Sequence, residues 1–234
     1  MFLLTNPLIQ AYKDSDCFGK IIFLILILLS IITWTIFWQK TSVQKKFFKT
    51  GIELKNTFLG QKSLPLSLDN LPPHNPFTDL YKSIKRISLE LLNKNKDLLE
   101  PSEEHLVILS NSDIDVIENQ ILSLLPKYKH LLEKNNFILS TIVSLAPFLG
   151  LLGTVWGLLL AFSALGTTQN SSTIMSGLST SLATTVLGLL VAIPALIAYN
   201  YLKTLTTSLL IELEFFGFLT LNAIELKYKK QEKL

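Results

Sequence analysis

The chain has 234 residues, 49% hydrophobic and 17% charged, with a net charge of +3 and a mean hydropathy of +0.41. Soluble domains carry about a quarter charged residues, and here the shortfall is local: no Asp, Glu, Lys, Arg or His occurs in 21–39 or in 135–202. This excludes an ordinary soluble domain and predicts an all-α integral membrane protein, because the first gap holds one span of about 20 apolar residues and the second holds two.

Residues 1–18 precede the first predicted span, which covers 19–38. That span starts after Lys13, Asp14 and Asp16 and is followed by no small-residue cleavage site. It ends in WTIFWQKTSVQKK, with Trp34 and Trp38 placed for an interface, so it reads as a retained helix rather than a signal peptide. The single cysteine, Cys17, reads as a free thiol and excludes an internal disulfide or a multi-cysteine metal site.

Residues 39–136 form the next segment. After the proline-bearing stretch SLPLSLDNLPPHNP, apolar residues at Phe77, Leu80, Ile84, Ile87, Leu91 and Leu98 recur with helical spacing. A second series, Ile114, Ile117, Ile121, Leu124, Tyr128 and Leu131, keeps the same rhythm up to the second span. A helix over 112–165, rising about 1.5 Å per residue, would far exceed the bilayer thickness. Span two is expected over 137–165, GTTQNSS at 166–172 is a turn, and span three covers 173–201. Pro147 and Pro194 lie inside these spans, where a kink is tolerated if neighbours satisfy the freed carbonyls. In 202–234, Leu209, Leu213, Phe216, Leu219 and Leu226 predict a helix continuing until KYKKQEKL.

Basic residues set the expected orientation. Of 21 Lys and Arg, 14 fall in 40–134, 5 lie from Lys203 onward, and 2 precede span one. Positive-inside counting puts 39–136 and the C-terminal tail in the cytoplasm, with the N-terminus and the 166–172 turn on the periplasmic side. The same basic segment holds 12 acids, so its charge argues for a bilayer surface and not for nucleic acid. His74, His105 and His130 lack metal-ligand spacing, no phosphate-binding loop or nucleophile motif occurs, and neither a cofactor nor an enzymatic activity is expected.

Two stripes stand out inside the long uncharged stretch. In LGLLGTVWGLLLAFSALG (149–166) and its surroundings, Gly150, Gly153, Gly157, Ala161 and Ala164 share one face. Gly177, Ser181, Thr184, Gly188, Ala192 and Ala195 do so in span three. Small faces let helices approach closely in lipid. Beside them run Ser140, Ser144, Pro147 and Thr154, and the hydroxyls of Ser176, Ser179, Thr180, Ser181, Thr184 and Thr185. Such hydroxyls either bond the carbonyl one turn back or line a narrow polar passage.

The elements P-F-x-G-L-x-G-T-V-W-G at 147–157, G-L-S-x-S-L-x-T-T-x-x-G-L at 177–189 and A-I-P-A-x-x-x-Y-N at 192–200 closely resemble the paired motifs of the MotA/TolQ/ExbB proton-channel family. The three-span layout is similar to the TolQ and ExbB branches, and a length near 230 leans towards TolQ. The resemblance implies a ring of five copies in the bacterial inner membrane around two helices of a TolR/ExbD-type partner, whose intramembrane aspartate carries the proton. It also implies delivery of work to a TolA- or TonB-type protein. The family's pore threonines fall on Thr154 and Thr185, and its span-three glutamate falls on Thr180; Thr184, Ser144 and Pro147 complete the implied lining. With no carboxylate in 135–202, the carrier acid is expected from the partner. Three functions follow: a TolQ-like motor subunit, an ExbB-type subunit energising TonB-dependent uptake, or a passive scaffold whose small stripes merely assemble copies.

Overall fold

A computed structural model describes residues 7–60, 65–68, 71–97, 108–165 and 171–228. The elements are helical: α1 (Pro7–Asp14), α2 (Cys17–Gly60), α3 (Pro76–Asp97), α4 (Asn111–Glu133), α5 (Asn136–Leu165) and α6 (Ser171–Tyr228). Three of them, α2, α5 and α6, are long and apolar enough to cross a membrane. In their most apolar stretches only 22%, 28% and 44% of residues are buried, so most of this greasy surface faces outward, as a lipid-facing protein requires.

The chain divides into two units, Met1–Thr41 with Asn135–Lys203, and Ser42–Lys134 with Thr204–Leu234. In the first, Ile22 and Leu26 of α2 pack with Ile142 and Ala146 of α5 and with Val191, Ala192 and Ala195 of α6. Ala11 of α1, Phe23 and Ala183 form a smaller cluster beside it. Lys40 Nζ donates to Asn136 Oδ1 at 2.9 Å, which ties α2 to the start of α5.

The second unit has a conventional apolar core. Phe77, Leu80, Tyr81 and Ile84 of α3 meet Ile117 and Ile121 of α4 and Leu209, Leu213 and Phe216 of α6. Phe216 is the aromatic hub, with ring centroids 5.9 Å from both Phe58 and Phe77. Gly51 admits the Phe77 ring, since a methyl built there would lie 2.6 Å from Phe77 Cζ. Gln44 Nε2 donates to Thr206 Oγ1 at 2.9 Å, and Lys55 pairs with Glu212 at 2.7 Å.

Three expectations need correcting. The apolar rhythm across 112–165 predicts one uninterrupted helix, whereas α4 ends at Glu133 and α5 begins at Asn136. Asn135 takes φ 68° at the break, a left-handed conformation that Asn tolerates better than most residues. The rhythm also slips a register twice. Leu131 is exposed and Leu132 buried, and Leu226 is exposed while Ile224 is fully buried. On α6 the buried face passes through Thr220, whose Oγ1 donates to the Phe216 carbonyl at 2.9 Å, so a polar residue in the core hides the true frame. Leu98 lies outside the described residues, as does 166–170 of the expected turn; Ser171 and Ser172 already belong to α6.

The start of α4 is a capping box. Ser110 Oγ accepts from the Asp113 backbone N–H, and the Asp113 carboxylate accepts from the Ser110 backbone N–H at 2.9 Å. Asn95 of α3 also donates to that carboxylate at 2.9 Å. Partial burial pushes the Asp113 carboxyl up, but the Ser110 backbone N–H, the Asn95 amide, the Ser110 hydroxyl and nearby Lys94 outweigh it and hold the group below its usual 3.8. A carboxyl depressed in the folded state stabilises above its unfolded value, and that contribution is lost as pH falls through the folded one. Amide protection at α3 and α4, taken relative to the intrinsic exchange rate, should therefore fall below about pH 3.8 in the natural chain. D113A should raise exchange at higher pH and flatten this acid dependence; an unchanged profile would remove Asp113 from the account.

Candidate functional site

The α5–α6 pair is built on glycine. A methyl on Gly177 would lie 2.7 Å from the Gly157 carbonyl oxygen, and one on Gly188 would lie 2.7 Å from that of Ala146. Gly150 lies against Thr184 and Thr185, Gly153 against the Thr184 side chain, and Gly157 against Ser181 and Gly177. Ala161 meets Gly177, and Ala192 is buried beside Ala146. Backbone meets backbone at Gly150, Gly177 and Gly188, only the small Ser181 and Thr184 side chains enter the seam, and dispersion over that area holds the pair where lipid supplies no hydrophobic drive.

Hydroxyls stitch the seam. Ser181 Oγ donates to the Thr154 carbonyl at 3.0 Å and lies 3.0 Å from the Gly177 carbonyl. Thr185 Oγ1 donates to the Gly150 carbonyl at 3.2 Å. Thr154 Oγ1 donates to the Leu151 carbonyl at 2.6 Å, and Ser144 Oγ lies 3.4 Å from the Ser140 carbonyl. Some of these hydroxyls bond the carbonyl one turn back, while Ser181 and Thr185 bond the neighbouring helix, a role that neither alternative had given them.

The six residues of the implied lining divide into two groups. Thr154, Thr185 and Pro147 are half-buried and Ser144 is exposed, so each keeps an edge on the outside of the chain. Thr184 is fully enclosed and bonds the Thr180 and Ser181 carbonyls at 3.0 Å; Thr180 is only 3% exposed. Thr180 and Thr184 therefore face the interior of the chain's own helix packing.

What encloses Thr180 is an element the sequence reading did not anticipate. After α1, the chain turns through Ser15 and Asp16 into α2. Ser15 Oγ sits 3.1 Å from Thr180 Oγ1 and also bonds the Ala11 carbonyl. Ser176 Oγ donates to the Asp14 carbonyl at 2.7 Å. The indole Nε1 of Trp156 donates to Asp16 Oδ2 at 2.9 Å, and the Phe18 ring lies 4.5 Å from the indole. Beside this elbow is a cavity of about 380 Å³, lined in part by Asp16, Ser163, Ser176 and Thr180. One sequence signal was available: an Asp just before an apolar helical run is a helix-start signature.

Comparison with known proteins gives the site its context. Residues 85–214 match the MotA/TolQ/ExbB proton channel family. The chain belongs to this family. The biopolymer transport protein ExbB of Salmonella typhimurium is 32% identical over 196 residues, covering 81% of this chain and 74% of that one. The Tol-Pal system protein TolQ of Haemophilus influenzae is 25% identical over 205 residues, covering 83% of each. A Helicobacter pylori ExbB reaches 53% identity over 73 residues, 30% of this chain and half of that one. The family match takes in both α5 and the first part of α6, so the glycine seam and its hydroxyls belong to the shared portion.

Proposed function

We propose that the chain is the ring-forming subunit of a proton-driven motor in a bacterial inner membrane, with a periplasmic N-terminus and a cytoplasmic C-terminus. It would surround, as a homo-oligomer of five copies, a TolR/ExbD-type single-span partner whose intramembrane aspartate carries the proton. It would pass work to a TolA- or TonB-type protein. The observation that carries this reading is the α5–α6 pair: a rigid seam with Thr154 and Thr185 at its edge, held by hydrogen bonds to Leu151 and Gly150. Fixed hydroxyls can orient water and a partner's carboxylate without titrating themselves. Each proton crossing about 100 mV releases roughly 2.3 kcal/mol, enough to bias one step of a ring against an off-symmetry core.

The relatives bear both branch names, and the higher identity to ExbB, 32% against 25%, favours the ExbB-type reading, in which the work drives uptake through a TonB-type protein. The TolQ-type reading sends it to envelope integrity through a TolA-type protein.

The test is the double variant T154L/T185L, co-expressed with the cognate single-span partner in cells lacking their own subunit. The complex should still co-purify, because the backbone contacts of the glycine seam remain although the Thr185–Gly150 bond is lost, while motor-dependent function is lost. Full function of the double variant would remove these threonines from the passage.

A further inference from the structure

The α5–α6 pair contains no Asp, Glu, Lys, Arg or His from 135 to 202, and a cation moving beside uncharged helices in lipid meets a large barrier. The fold brings a carboxylate to that pair from a distant part of the chain. We propose that Asp16 is this protein's own ion-path carboxylate: a fixed negative charge, delivered by the α1–α2 elbow to the cavity beside Thr180, that favours a proton there. The inference rests on the proton-path reading above.

An ordinary role for Asp16 exists and does not account for the whole arrangement. Its carboxylate caps α2, accepting from the backbone N–H groups of Phe18 at 3.3 Å and Gly19 at 3.0 Å. Ser or Asn would cap as well. A cap needs no third donor from another helix, yet Trp156 of α5 supplies one at 2.9 Å. The elbow is seated on α6 by the Ser15–Thr180 and Ser176–Asp14 bonds. Gly19 closes on Thr180, where a methyl would lie 3.2 Å from Thr180 Cγ2. These contacts hold the carboxylate beside the cavity that Thr180, Ser176 and Ser163 also line.

The charged neighbours are few. Lys13, Asp14 and Lys20 lie on the elbow itself, and α5 and the packed part of α6 add none. Among the described residues no lysine is seen paired with Asp16; the Lys55–Glu212 pair lies in the other unit. The negative charge of Asp16 is thus not cancelled by a direct partner. Its role differs from that of a proton carrier: it favours a cation nearby, while the moving proton is carried by the partner's acid.

The test uses the full chain co-reconstituted with its single-span partner in liposomes, with voltage-driven proton flux read by a trapped pH dye. D16N removes the charge but leaves one acceptor oxygen for the two places that Oδ1 (Gly19 N–H) and Oδ2 (Trp156 indole) fill, so Trp156 emission in a W34F/W38F background reports whether the elbow is kept. D16N should lower flux at least tenfold, and D16E should retain most of it. Raising salt from about 0.01 M to about 1 M shortens the screening length from roughly 30 Å to 3 Å. Flux of the natural protein should fall towards that of D16N, and D16N flux should respond less, since only Asp14 then remains as a carboxylate on the cavity. Equal flux in D16N and the natural protein overturns the inference, and so does a D16N loss without salt dependence in the natural protein, which marks a structural cap. Absence of flux in the natural complex overturns the parent reading itself, and all variants would then read alike.

Discussion

Replacing Gly188 or Gly177 by alanine is expected to destabilise the chain, although on an open helix the same change stabilises by about 0.5–1 kcal/mol. The sign reverses because the obstacle is backbone. The new methyl would sit 2.7 Å from the Ala146 or Gly157 carbonyl oxygen, and at Gly188 it would also be 3.1 Å from Gly150 Cα. A flexible side chain could swing away, but a carbonyl in a helix cannot, so α5 and α6 must separate. Overpacking of this kind costs about 1–3 kcal/mol, and separation also lengthens the Ser181–Thr154 and Thr185–Gly150 bonds. Leucine at either position should prevent the pair from forming. Thermal unfolding of the purified protein in mild detergent reads the effect; a higher midpoint for G188A would mean that the helices are not in backbone contact.

Phe216→Ala should be the most damaging single truncation in the second unit. Its ring is fully buried and lies 5.9 Å from both Phe58 and Phe77, so its loss opens a cavity among three elements at once. Truncating such an aromatic residue costs about 3–5 kcal/mol, a large part of the 5–15 kcal/mol that typically holds a domain together. F216L should recover part of the loss, because it refills some of the volume. Limited proteolysis in α3 and α4 gives the readout: rapid cleavage in F216A and intermediate cleavage in F216L are expected. Protection equal to the natural chain would show that α6 does not organise this core.

Much of this was legible in the sequence because membranes impose a coarse rule. Stretches of 19 and 68 residues without Asp, Glu, Lys, Arg or His (21–39 and 135–202) can scarcely be anything but spans, and the three apolar helices fall there. Finer features escaped for identifiable reasons. Thr220 occupies a core position with its hydroxyl turned to its own helix, so an apolar count skips it and chooses Leu226 over Ile224. Asn135 breaks the helix through a single backbone angle, which apolar periodicity does not register. The resemblance grouped Thr180 and Thr184 with Thr185 in the implied lining, although a helix turns about 100° per residue and sets neighbouring threonines on different faces. The elbow was least legible of all. Asp14, Ser15 and Asp16 look like a polar lead-in, and their partners Trp156, Ser176 and Thr180 lie 140 or more residues away.

That elbow alters the electrostatic picture without altering its logic. On the proposed reading a partner's carboxylate moves the proton, because the spans carry no acid, and Asp16 would supply a stationary charge beside Thr180. The most direct test of the central claim is voltage-driven proton uptake by liposomes containing the chain alone or the chain with its single-span partner. The account predicts flux with the partner, its loss when the partner's intramembrane aspartate becomes asparagine, and none from the chain alone. A tight complex that passes no protons under voltage, or equal flux with and without the partner, would contradict it.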